Sequence, residues 1–114
     1  MADKKKTLTK IRDIFAKNRT EKEIAQEEAG LYSELYQGLE DVGMIDYNYS
    51  ENFDKIKGQN YPEKMEHVSD FTLKNCGTIL TFILRGERFA EGTFFEAVSS
   101  GNILKLLNRA IEVA

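Results

Sequence analysis

The run Thr78-Ile-Leu-Thr-Phe-Ile-Leu-Arg-Gly-Glu-Arg-Phe-Ala-Glu-Gly92 constrains this chain most, because it joins its most apolar stretch to its densest cluster of charge. At about 100° per residue, Leu73, Cys76, Ile79, Leu80 and Ile83 share one broad helical face, and Glu87 follows Ile83 on it by one turn. A carboxylate on such a face costs several kcal/mol unless it is paired or hydrogen-bonded, so Glu87 calls for a partner. Arg109 is one candidate. The free N–H groups that open the helix after Gly92 are the other. Arg85 and Arg88 point away from the apolar face, and Gly86 leaves a gap where another backbone can approach. Two readings follow: a structural clamp at a helix end, or a ligand pocket faced by Glu87 and the arginines. The clamp is the plainer one, since structural ion pairs perturb carboxylates as well.

Helical patterns continue on both sides. Ser69 and Asp70 suit the start of the central helix, and Gly92 closes it or the turn just after it. Thr93 then caps a short helix carrying Phe94, Phe95, Ala97 and Val98, which Gly101 ends. Asn102 caps a last helix whose Ile103, Leu104, Leu106, Leu107, Ala110 and Ile111 form a wide apolar face. Three helices joined by short loops predict an all-α domain with a C-terminal three-helix core. Upstream, Thr20-Glu-Lys-Glu23 has the form of a capping box. Leu31, Leu35, Leu39 and Val42 then recur at helical spacing up to Gly43, and Gly30 ends or bends the pattern.

From Met44 to Val68 the periodicity fails, and the only proline, Pro62, falls there, so a long ordered loop is expected with one helical turn near Phe53 and Ile56. Net charge separates this region from the rest. Residues 1–20 balance at +5, residues 21–70 at −9 and residues 71–114 at +1, and all five tyrosines lie in the acidic part. Residues 1–19 read as a basic extension or a short helix, capped by Thr7 with Ile11, Ile14 and Phe15 as its stripe, that the fold can do without. Residues 20–114 read as one helical domain, and 114 residues are too few for a second.

Leu84-Arg-Gly-Glu-Arg-Phe-Ala-Glu-Gly92, with Gly101 and Ile103-Leu-Lys-Leu-Leu-Asn-Arg109 after it, resembles a family of small proteins of bacteria and their phages labelled only as a domain of unknown function. The family motif reads Leu-x-Arg-Gly-Glu-Arg-Phe-x-x-Gly. The likeness is strong over residues 73–110 and finds no counterpart for residues 1–30. Between them it is weaker: Leu35-Tyr36, Gly43 and Asp46-Tyr47 resemble a segment that usually has Asp-Trp, where this chain has Tyr47. The resemblance implies one helical domain and carries no activity with it.

Chemistry is hard to find in these residues. There is no Walker-type glycine loop, GxSxG, HExxH or CxxC. His67 has no Cys or second His with which to share a metal, and Asp46, Glu51 and Asp54 lack the alternation and the glycine of a calcium loop. Neither a metal nor a cofactor is expected. The single cysteine, Cys76, excludes an internal disulfide and fits a reducing cytoplasm as a buried, inert thiol. No run approaches the ~20 apolar residues of a membrane span. The basic N-terminus is the only candidate for nucleic acid, and a short one.

Two groups of candidate site residues remain. Arg85, Gly86, Glu87, Arg88, Phe89, Gly92 and Arg109 form a structural or ligand motif. Asp46, Tyr47, Tyr49 and Glu51 form a surface that suits a protein partner, because tyrosine offers rigid amphipathic contact area and a block of acid steers basic partners. The expected function is a non-enzymatic protein-interaction module, an accessory protein of a phage or mobile element acting on a host protein. The alternative is binding of a small anion or nucleotide by Arg85 and Arg88, with Glu87 orienting it.

Overall fold

Helices account for all the regular structure among residues 3–88 and 90–114, which the computed structural model describes. Helix α1 (Lys4–Phe15) opens at Asp3, whose carboxylate accepts from the Lys6 amide, so the cap lies four residues before Thr7. Helix α2 (Glu21–Asp41) opens with the full capping box: the Glu23 amide donates to Thr20 Oγ1 and the Thr20 amide to Glu23 Oε1. It runs unbroken through Gly30. Glycine inside a helix costs about 1 kcal/mol, and the burial of Leu31, Leu35 and Leu39 just beyond it offsets that. Gly43, at φ 71°, turns the chain where the sequence placed a stop.

The expected loop of residues 44–68 contains two short helices, α3 (Tyr49–Asp54) and α4 (Tyr61–Met65). A 3-10 turn at Val68–Asp70 follows, so Ser69 does not cap the central helix. That helix, α5 (Leu73–Gly86), starts at Thr72, which forms a second reciprocal box with Asn75. Two more helices, α6 (Thr93–Ser99) and α7 (Asn102–Val113), follow Gly92 and Gly101, and these glycines, not Thr93 and Asn102, occupy the cap positions.

Helix α5 is the hub. It packs on α2, α3, α6 and α7, while α7 also packs on α1 and α6. Its predicted face is buried as read: Cys76, Ile79, Leu80 and Ile83 have no exposed surface, and Leu73 packs at the margin. Ile103, Leu106, Leu107 and Ala110 of α7 meet them in one core. The third layer is α1, whose Leu8, Ile11 and Phe15 are 0%, 4% and 7% exposed. Its Arg12 donates to Asn108 Oδ1 of α7 at 2.9 Å. Leu8 extends the expected stripe and packs α1 into the core, an arrangement that argues against sparing residues 1–18 and that truncation tests.

Burial pushes the Cys76 thiol up to about 12, with Arg109 opposing that shift. A thiolate is the reactive form. Thiol reagents should leave the native protein unlabelled and react only as denaturant unfolds it; rapid labelling in native buffer would contradict this. No helix among the described residues is long and apolar enough to cross a membrane.

Candidate functional site

Residues 44–46 lie as a strap across α5. Gly77 makes this approach feasible, since a Cβ there would stand 2.6 Å from the Met44 carbonyl oxygen. The strap is then fixed by polar contacts. The Asp46 amide donates to Thr81 Oγ1 at 3.0 Å, and Thr78 Oγ1 donates to Asp46 Oδ2 at 2.6 Å. The Asn52 side chain donates to both carboxylate oxygens and the Asn48 amide to Oδ1. Burial is the largest single influence on the Asp46 carboxyl and pushes it up. The bonds from Thr78, Asn52 and Asn48, with the nearby Lys74 charge, together outweigh burial and hold it below the usual aspartate range. Asp46, read from the sequence as a partner contact, is largely occupied inside the protein.

Tyr47 leaves the strap in the other direction. It is 76% exposed, the one exposed large hydrophobic side chain among the described residues. Beside it, Tyr49 at the start of α3 is half-buried. Arg85, in the last turn of α5, and Arg88 just past it reach the same place. Asp46, Tyr47, Tyr49, Arg85 and Arg88 together line a hollow of about 290 Å³. Neither arginine side chain makes a hydrogen bond or ion pair with another described residue. Members of the two candidate groups, far apart in sequence, thus share one site. Glu51 stands aside, exposed, accepting from Asn48 Nδ2 and lying 3.9 Å from Lys55 Nζ. Such a surface pair contributes little.

Glu87 faces elsewhere. Its Oε1 accepts from the Phe94 amide at 2.8 Å and its Oε2 from the Gly92 amide at 3.3 Å, so it caps α6 from outside the helix. Gly92 adopts φ 95°, which brings its N–H into that position. Gly86 is approached by a side chain instead of a backbone: a Cβ there would lie 3.2 Å from Thr93 Cγ2. Arg109 is not Glu87's partner. Its Nε donates to the Phe71 carbonyl at 2.9 Å and its guanidinium lies 3.7 Å from Glu112. The Arg-Gly-Glu-Arg run therefore divides, with the arginines at the tyrosine hollow and Glu87 in a structural cap. Phe89 lies outside the described residues. Because no buried arginine depends on Glu87, Glu87→Ala should cost about 1 kcal/mol, as the loss of a helix cap does, and Glu87→Gln less. Thermal denaturation of the two variants tests this; a loss of about 3 kcal/mol would point to a buried charge partner instead.

Two residues with structural weight escaped the sequence reading. Lys64 is only 2% exposed, and its ammonium donates to the Ile56 and Gly58 carbonyls at 2.8 and 2.6 Å while standing 4.8 Å from the centre of the Phe53 ring. Tyr32 donates from its hydroxyl to the Leu84 carbonyl at 2.9 Å, closing the end of α5. No local pattern marks either contact, since each joins side chain to a remote or looped backbone. A second hollow, about 440 Å³, lies on the other side of the strap between Lys4, residues 43–46, Leu73, Lys74 and Gly77. Among the described residues, no three His, Cys, Asp or Glu side chains gather as a metal site requires.

The fold and this site define a small, single-domain, all-helical protein with an arginine–tyrosine surface at the end of its central helix. The chain belongs to the family of unknown function DUF6508, which it matches over residues 8–114. The match begins inside α1, so residues 8–30 are part of the family domain although the motif resemblance did not reach them. No curated protein and no solved structure matches the chain.

Proposed function

We propose that the protein is a protein-interaction module and that its contact surface is centred on Tyr47, with Tyr49, Arg85 and Arg88 around it. The observation that carries this reading is the 76% exposure of Tyr47 directly beside two arginines with no side-chain partner among the described residues. Tyrosine and arginine are the residue types that dominate binding energy at interfaces. Leaving an aromatic side chain in water gains the monomer nothing, and Tyr47 takes no part in the core cluster. The hollow, at about 290 Å³, lies at the lower edge of the range of small-molecule sites. With Glu87 committed to α6, a nucleotide would also lose the carboxylate that was to orient it.

The test is a comparison of affinity captures. A partner retained by the wild type should be lost with Tyr47→Ser, and more completely with Tyr49→Ser added, while the thermal midpoint of the Tyr47 variant stays within about 2 °C of wild type, as for a surface change. A partner retained equally by the double variant would sink the proposal. A wild type that captures nothing but is thermally stabilised by nucleotides, in a manner lost with Arg85→Ser, would establish the small-anion reading in its place.

A further inference from the structure

We infer that the partner offers an acidic, extended segment that runs along α5 over the strap, placing carboxylates at both of its ends; this rests on the interaction surface proposed above. Lys74, Gly77, Thr78, Thr81 and Arg85 recur on one stripe of α5, and Arg88 continues it past the helix end. The strap covers the middle of the stripe through the Gly77 contact and the Thr78 and Thr81 hydrogen bonds. Cations are left at its two ends. Lys74 stands with Lys4 at the rim of the 440 Å³ hollow, and Arg85 with Arg88 at the 290 Å³ hollow. Asp46 lines both hollows, so they adjoin.

Charge decides the kind of partner. The four cations make no side-chain hydrogen bond or ion pair with another described residue. The only carboxylate lining either hollow, Asp46, already accepts from Thr78, Asn52 and Asn48. Arginine pairs and lysines in this state suit carboxylates on an incoming chain. Spacing follows from the helix. Lys74 and Arg85 are separated by about 16 Å at 1.5 Å per helical residue, and an extended chain covers that in about five residues. Met44, Ile45 and Leu73 wall the larger hollow and provide a seat for one apolar side chain beside the first acid. The recognised segment is thus two acids about five residues apart with an aliphatic neighbour at the Lys74 end.

Fluorescence anisotropy with the full chain tests this, using a labelled synthetic peptide with two glutamates at that spacing and a leucine beside the first. Control peptides carry glutamine in place of both glutamates, or the glutamates side by side. The spaced peptide should bind at least about tenfold more tightly than either control, as expected for one charged hydrogen-bonding pair. Lys74→Ser and Arg85→Ser should each weaken it about as much. Equal binding of the glutamine peptide, or indifference to Lys74→Ser, overturns the inference. Binding that falls with Tyr47→Ser but not with Lys74→Ser keeps the interaction surface and removes the spanning segment. If neither substitution matters, both fall. A single-stranded oligonucleotide that displaces the peptide at lower concentration than unlabelled peptide would assign the stripe to phosphates and overturn the inference too.

Discussion

A chain beginning at Thr20 should lose cooperative unfolding. The first helix would be absent, and with it Leu8, Ile11 and Phe15, whose exposures of 0%, 4% and 7% place them in the same core as α7 and α2. Removing a buried aliphatic or aromatic side chain costs roughly 2–5 kcal/mol. Three such losses approach the whole 5–15 kcal/mol that holds a typical domain together. The truncation also uncovers Phe94, which Phe15 meets edge-on at 6.4 Å, and the apolar side of α7. Circular dichroism should show helix without a sharp thermal transition, with enhanced binding of a hydrophobic dye. A cooperative melt close to that of the full chain would show that α1 is an accessory layer. The single substitution Leu8→Ala is a milder check on the same packing, with an expected loss of about 3 kcal/mol.

What could be read ahead of the structure follows from how local each signal is. The buried face of α5 was legible because Cys76, Ile79, Leu80 and Ile83 repeat at helical spacing along a stretch long enough to set a phase. The Thr20–Glu23 box was legible because both its hydrogen bonds lie within four residues. The start of α5 was misplaced for a related reason. Ser69-Asp70 looks like a cap, but Thr72 has Asn75 to reciprocate, and Phe71 is buried and held through its carbonyl by Arg109. The helical turn expected near Phe53 is α3, which ends before Ile56, whereas α4 is too short for periodicity to register. The start of α4 was nonetheless encoded in Asn60, which accepts from the Glu63 amide with Pro62 in the first turn, a signal read only as loop punctuation. At the site, the need of Glu87 for a hydrogen-bonded partner was legible from its position after Ile83, and the structure selects the backbone N–H alternative over Arg109. The meeting of Tyr47 with Arg85 was not, because it depends on the strap crossing α5, which only the Gly77 contact and the Thr78 and Thr81 hydrogen bonds determine.

Those same contacts make Asp46 the residue whose loss should matter most outside the apolar core. In Asp46→Ala, the side chain of Asn52 and the Asn48 amide lose their acceptor, the Thr78 hydroxyl falls back on the Lys74 carbonyl at 3.0 Å, and the strap keeps its own amide bond to Thr81. Hydrogen bonds to a charged group are worth about 1.5–3 kcal/mol net. Asp46 is half-buried, so water repairs part of the loss. A decrease of about 2 kcal/mol is expected, equivalent to a thermal midpoint lower by roughly 5–10 °C. Asp46→Asn is the sharper test. It keeps the shape but turns one acceptor oxygen into a donor, and Asn52 Nδ2 faces both positions, so it should recover only a fraction of the lost stability. The acid response gives an independent reading. The folded-state carboxyl lies below its ordinary value of 3.8, so its contribution is fully present above that pH and is lost as pH falls through the folded value. Stability of the wild type should therefore drop more steeply than that of Asp46→Asn below about pH 4. Denaturant melts of both proteins between pH 2 and pH 7, a window set by the aspartate range, measure the difference. Parallel curves would mean that packing on Gly77 and the Asp46 amide bond to Thr81 hold the strap without the carboxylate charge, and that the tyrosine–arginine hollow does not depend on it.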